Sequence, residues 1–210
     1  MDTRPERLDD DQGGEVRDGR ALRATRTRQL VVESFLDLLE EGEPQPTAQQ
    51  VSDRSGVSMR SIFRLFDDVE ALHTAAIATQ VDRVLPLLVP LDVAGSFDRR
   101  LKLFLESRAV LFEAISPVRR MAVRLAPTSR PIRRDLGIAN DLLRAQVLEM
   151  FEIELSVLAP APRRDAVEML DAWTSWETWE RLRTVQGIPE RRSRRIVSAM
   201  VRSVLDGPTA

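Results

Sequence analysis

Between Thr47 and Phe66 the chain reads TAQQVSDRSGVSMRSIFRLF, and its punctuation leaves room for little besides two short helices joined by a tight turn. Thr47 precedes Gln50 by three residues, a pair whose hydroxyl and amide can exchange hydrogen bonds with backbone N–H groups at a helix start. Ala48, Val51 and Ser55 recur at helical spacing, and Gly56 supplies the positive φ at which that helix stops. Ser58 is a natural N-cap for the second helix, in which Ile62, Leu65 and Phe66 fall at i, i+3 and i+4 as a buried stripe. The other face carries Arg60, Ser61 and Arg64, with no acidic residue in the helix to pair with the arginines.

Two arginines one turn apart on an outward face suit phosphate contact and recognition of guanine O6 and N7. The segment therefore predicts a helix-turn-helix whose second helix enters a DNA major groove. The competing reading is a solvated arginine face on a small structural helix. The formal net charge of −2 does not favour DNA binding by itself, because affinity rests on local phosphate neutralisation. Its distribution does: Arg20, Arg23, Arg26 and Arg28 crowd the start of the preceding helix, while Asp37, Glu40, Glu41 and Glu43 lie at its far end. Lysine occurs once, at Lys102, an arginine bias that carries little functional weight.

Hydrophobic residues make up 43% of the 210, ample for a real core, and alternating β-branched runs are nearly absent, so an all-α fold is expected. The absence of cysteine excludes disulfides and thiolate chemistry. The charged start lacks the apolar stretch of a signal peptide, and no apolar run reaches the length of a membrane span, which predicts a cytoplasmic protein with no membrane partner.

Residues 1–20 are mixed in charge and poor in large apolar groups, so a disordered tail is expected there. A first helix over about 22–41 would bury Leu30, Val31, Ser34, Phe35 and Leu38 and end at Gly42. Asp67 and Asp68 can cap a fourth helix through Leu72, Ala76, Thr79 and Val81, broken by Pro86 and Pro90. Further amphipathic segments run over about 97–115, 117–125, 131–158, 162–186 and 189–206, punctuated by Pro117, Pro127, Pro160, Pro162, Gly187 and Pro189. The expected organisation is a tail at 1–20, a helix-turn-helix domain at 21–66 and a helical domain at 67–210.

Catalytic chemistry is thinly supplied: one histidine, no cysteine and no tyrosine, so no catalytic residue, metal site or cofactor is assigned and an enzyme is disfavoured. His73 lies beside Leu72 and Ala76, where packing is favoured over metal binding. Glu177 and Glu180 stand near Arg181 and Arg183 and read as a solvated or seam charge network. Trp173, Trp176 and Trp179, spaced three apart, drift around one helix; they pack a core or interface, or Trp173 or Trp176 stacks on an apolar ligand. The last helix repeats Ile196, Val197, Met200, Val201, Val204 and Leu205, and with Trp179 of the preceding helix it offers more apolar surface than one core needs. A four-helix seam between two subunits follows, with Trp179, Ile196, Val197, Met200, Val201 and Val204 in it.

These residues resemble the tetracycline-repressor (TetR) family of bacterial transcriptional regulators. The likeness rests on Leu30 with Gly42, T-x-x-x-V-S at 47–52, S-G-V-S at 55–58, I-F-R-L-F at 62–66 and E-A-L at 70–72, and over the last two-thirds on helix order and S-W-E-T-W-E-R-L-R. It implies a homodimer that reads a palindromic operator in double-stranded DNA, and a C-terminal domain that dimerises and encloses a small-molecule ligand whose binding releases the DNA. DNA contacts would come from Arg23, Arg26, Arg28, Thr47, Gln49, Ser58, Met59, Arg60, Ser61, Phe63 and Arg64. The ligand pocket would be lined by Phe104, Arg108, Leu111, Phe112, Met121, Leu125, Leu143, Val147, Trp173 and Trp176. Arg108 interrupts an apolar run, so it turns outward or offers a partner to a carboxylate inside.

Three positions depart from the family pattern. A tyrosine that donates to phosphate commonly stands where Phe63 does, a histidine where Leu65 does, and a lysine that meets phosphate where Val69 does. Fewer phosphate contacts weaken all sequences alike and flatten the salt dependence. Arg60, Arg64 and the arginines before the first helix would then carry the binding. The alternative is a helical protein-interaction module derived from such a regulator, with DNA binding weakened or lost.

Overall fold

The computed structural model describes residues 12–88 and 92–205, with side chains from Ala21 onward; among these residues there are α-helices and no strand. The chain divides into two compact units between Ala76 and Ile77.

The first unit begins with α1, Gln12–Glu40, which starts ahead of the expected position 22. Residues 1–11 of the expected tail lie outside the described residues. The buried arc of α1 is Val31, Val32, Ser34, Phe35, Leu36 and Leu39. Leu30, expected in that stripe, is 48% exposed, and Leu38 is half-buried, because the arc is centred on Val31, Phe35 and Leu39 and leaves Leu30 behind it. After Gly42, at φ 96°, come α2 (Ala48–Ser55) and α3 (Met59–Leu65), which pack on α1 and on each other through Val51, Ile62 and Phe66.

Asp68 caps α4, Val69–Val84, accepting from the Ala71 N–H at 2.7 Å. Leu72 and Ala76 are buried, and the His73 ring lies 5.4 Å from that of Phe35. The first half of α4 thus belongs to the first unit, and the division falls within this helix instead of after residue 66. Val81 is exposed. A 3-10 turn at Leu85–Leu87 contains Pro86 and ends the run.

The second unit is organised around α5, Phe97–Leu125. Two helices were expected here, divided at Pro117; the helix instead runs through it. Proline inside a helix costs about 3 kcal/mol through its missing N–H and its clash with the preceding turn. Burial on both sides of Pro117, by Phe112 and Ser116 before it and Val118, Met121 and Ala122 after it, outweighs that cost. Conversely, the expected 131–158 helix breaks into α6 (Arg130–Met150) and α7 (Glu152–Ser156). The break at Phe151 places its ring, fully buried, against Phe97 and edge-on to Phe104 at 5.3 Å.

The expected 162–186 helix also divides, into α8 (Pro160–Trp173), α9 (Trp176–Glu180) and a π-helical stretch Arg181–Val185. Ser175 restarts the chain by accepting from the Thr178 N–H at 3.2 Å. Trp173 is therefore on a different helix from Trp176 and Trp179. The last helix, α10, spans Glu190–Leu205.

Two apolar clusters fill this unit. One joins Leu101, Phe104 and Leu105 of α5 to Val147, Phe151, Leu170, Val197 and Val201. The other joins Ala109, Leu111 and Phe112 to Val84, Trp176 and Trp179.

Candidate nucleic-acid interface and ligand cavity

In the first unit, local hydrogen bonds build the α2–turn–α3 geometry. The Thr47 hydroxyl accepts from the Gln50 N–H at 3.2 Å while the Gln50 side-chain carbonyl accepts from the Thr47 N–H at 2.8 Å. Gly56 closes α2 at φ 68°, its N–H donating to the Ser52 carbonyl. A side chain would meet no neighbour there, so the requirement for glycine is the left-handed backbone alone. The Ser58 hydroxyl then accepts from the Ser61 N–H and caps α3.

This framework leaves Arg60 and Arg64 exposed on α3, neither engaged with another described residue. Phe63 beside them is 49% exposed, and Ser61 and Met59 are half-buried. Other expected DNA contacts have structural occupations. Gln49 donates to Asp53 at 2.7 Å, and Thr47 and Ser58 are spent as caps. Arg28 donates to the Leu65 carbonyl at 2.8 Å, with its guanidinium carbon 4.1 Å from the Phe66 ring centroid, so it fastens α1 to the end of α3. Arg23 and Arg26 are exposed on α1.

His73 is half-buried, and burial pushes its imidazole below the ordinary value, opposed by the charges of Glu70 and Asp68. Among the described residues there is no cluster of three potential metal ligands and no helix long and apolar enough to cross a membrane.

In the second unit a small cavity is lined by Leu105, Arg108, Phe112, Trp173, Thr174, Ser175, Trp179 and Val197. It has room for a water-sized guest. Three expected pocket residues, Arg108, Phe112 and Trp173, line it. The others do not: Phe104, Leu111, Met121 and Val147 are packed in the core, and Leu125 and Leu143 are half-buried and outside its lining. Trp176 is buried behind it, its indole N–H donating to the Ser116 hydroxyl at 2.9 Å.

The expected subunit seam also divides. Trp179, Val197 and Val201 are buried within their own unit, Trp179 and Val197 reaching the cavity wall. Ile196, Met200 and Val204 are half-buried on α10.

Three arginines of α5 are buried in phase with its apolar stripe: Arg100, Arg108 and Arg119. Arg100 is paired with Glu154 and the Met150 carbonyl. Arg119 meets Asn140 and Glu177 and lies over the Trp176 ring. Arg108 donates one bond, at 2.6 Å to the Leu143 carbonyl, between the rings of Phe104 and Phe112. Burial lowers its pKa to about 10, opposed by Asp171 and assisted by the like charge of Arg119, so it remains a cation at neutral pH. The helical phase of these arginines in the sequence is the signal for their burial.

Glu177 and Glu180 find their partners on α5, Arg119 and Arg120, instead of on neighbouring Arg181 and Arg183; Arg183 pairs with Glu113. The bond from Arg183 holds the Glu113 carboxyl below its usual range.

No family model matches the sequence, and no curated protein does. Solved structures do match. A TetR-family transcriptional regulator from Streptomyces coelicolor superposes with a TM-score of 0.64 at 16% identity, covering 86% of this chain and 79% of that one. A transcriptional regulator from Rhodococcus gives 0.64 at 15% identity, over 88% and 96% of the two chains. A third structure, from Syntrophomonas wolfei, gives 0.54 at 17% identity, over 89% and 98%. The chain therefore has the all-α fold of TetR-family transcriptional regulators.

Proposed function

We propose that the protein is a cytoplasmic, ligand-responsive transcriptional regulator that binds double-stranded DNA as a homodimer. It acts as a repressor that leaves a palindromic operator when a small amphipathic molecule occupies the second unit. The observation that carries this reading is α3: Arg60 and Arg64 exposed side by side on a helix whose start, turn and packing are fixed by Thr47, Gly56, Ser58 and Ile62. Such a helix presents guanidinium donors at a spacing matched to phosphates and guanine edges. The shared fold with known transcriptional regulators supports it. Half-buried Ile196, Met200 and Val204 on α10, with exposed Met169 on neighbouring α8, support a helix-pair interface between two copies. A single histidine packed on Phe35 favours a binding protein over an enzyme.

The test is a fluorescence-anisotropy titration against duplexes from the promoters of its own and neighbouring genes at several salt concentrations. Binding should fall steeply with salt. Each of Arg60→Ala and Arg64→Ala should lower the slope of log affinity against log salt by about 0.9 for each phosphate that the arginine neutralises. Salt-insensitive binding, or binding indifferent to both substitutions, overturns the reading and favours an interaction module.

A further inference from the structure

We propose that the outer face of α6 is a second self-association surface, on which two copies of the chain pair their α6 helices antiparallel about a two-fold axis. The contact is separate from the α10 pairing of the homodimer and joins one such unit to another.

The inner side of α6 is committed within its own chain: Ile132, Val147 and Met150 are buried, and the helix packs on α5 and α8. On the opposite side Arg134, Ile138, Asp141, Leu142, Ala145 and Glu149 are all exposed. They recur every three or four residues, with Asp141 and Leu142 sharing the middle turn, so they form one stripe along the helix. Ile138 is 54% exposed and Leu142 56%, two large apolar side chains one turn apart with nothing of their own chain over them.

The order of the stripe identifies what covers it. It runs from a base, Arg134, through Ile138, Leu142 and Ala145 to an acid, Glu149, and so complements itself when reversed. With the axis between positions 141 and 142, Arg134 of each copy faces Glu149 of the other. Ile138 then faces Ala145, a large side chain against a small one, and Leu142 meets Leu142. A different partner would give no reason for the stripe to be its own complement.

The two charges are available for this. Among the described residues Glu149 has no ion-pair partner, and it stands in the last turn of α6, where the helix dipole disfavours an acid. Arg134 reaches the adjacent Asp135 at 3.0 Å and keeps 73% of its side chain exposed. Such a solvated pair contributes little and yields readily to a second carboxylate. The apolar centre is small, and Asp141 at its edge faces its own copy across the axis, so the pairing is a weak one that shows at high chain concentration.

The full-length chain contains no cysteine, so a single introduced thiol reports the geometry. Oxidised with diamide, Leu142→Cys is expected to form a disulfide-linked pair, because its two copies lie beside the axis. Glu149→Cys, whose copies stand about 22 Å apart along the paired helices, is expected to remain unlinked. Sedimentation equilibrium is the second measurement: with rising concentration the wild type should approach twice the mass of Leu142→Arg, whatever oligomer α10 forms. Arg134→Glu and Glu149→Arg should each weaken the association at least fivefold, and the two together should restore it to within about twofold of wild type. All of these side chains are exposed, so each variant should keep the helical circular-dichroism signal. Equal masses for the wild type and Leu142→Arg at every concentration overturn the proposal. So does equal cross-linking at positions 142 and 149, or a folded double variant that associates no better than the single ones.

Discussion

The Arg28 guanidinium donates a 2.8 Å hydrogen bond to the main-chain carbonyl of Leu65, at the last residue of α3. This bond ties the first helix of the front unit to the helix that presents Arg60 and Arg64. The end of a helix leaves its last carbonyls unpaired and carries partial negative charge, so a guanidinium there satisfies an acceptor and opposes the dipole. Its stacking over Phe66 adds to the same anchor.

Arg28→Ala is therefore expected to destabilise the protein by about 1–2 kcal/mol in urea unfolding. Arg28→Lys should recover part of that loss, because an ammonium keeps the charge and loses the planar stack. Unchanged stability in Arg28→Ala, with DNA affinity lowered as much as in Arg60→Ala, would assign Arg28 to DNA instead.

Phe63→Tyr places a hydroxyl on an exposed ring next to Arg60 and Arg64. A hydrogen bond to a charged group contributes about 1.5 kcal/mol, so operator affinity should rise by about tenfold. Stability should stay within about 0.5 kcal/mol of wild type, since Phe63 packs little. A titration in which the two proteins bind DNA equally would show that no phosphate lies within reach of this position.

Pro117→Ala is expected to stabilise the second unit by about 2 kcal/mol. It restores an N–H in the middle of α5 and removes the clash of the ring with the preceding turn, offset in part by the added freedom of the unfolded chain. The urea midpoint gives the answer, and a decrease would mean that the core around α5 depends on the packing of the Pro117 ring.

His73 gives stability a predictable pH dependence. Burial lowers its folded-state pKa below the ordinary value of 6.5, so the unfolded chain takes up the proton more readily. Its contribution is fully present above about pH 6.5 and is lost as pH falls through the lower folded-state value. Glu41, Glu113 and Glu168, each held below the usual carboxylate range by an arginine, act in the same direction at lower pH. Unfolding midpoints measured from about pH 7.5 down to about pH 5 should fall less steeply in His73→Phe than in the wild type. Identical slopes would place the relevant proton elsewhere.

The front unit was legible in the sequence because its instructions are local. Thr47 with Gln50, Gly56, and Ser58 with Ser61 each act over three or four residues, and the hydrogen bonds they form need no distant partner. Leu30 shows the limit: its apolar character suited the stripe of α1, yet which arc is buried depends on where α2 and α3 pack.

In the second unit the informative contacts join residues far apart in sequence, so local rules misjudged several breaks. Pro117 read as a terminus and proved internal; Phe151, an ordinary helix residue by propensity, proved to be a break because the core rewards its burial against Phe104. Val197 and Val201 read equally well as a subunit seam and as intrachain core, and a stripe of valines cannot say which surface covers it.

By itself the sequence determined the all-α class, the capped helix-turn-helix and the outward arginines of α3, since these follow from backbone preferences and helical phase. Only the tertiary structure decided that Arg28 anchors α3, that Glu177 and Glu180 pair with α5, and that Arg108 turns inward with donors unused. Those outcomes depend on which helices become neighbours, and the burial free energy that selects neighbours is a property of the whole core, not of any local stretch of chain.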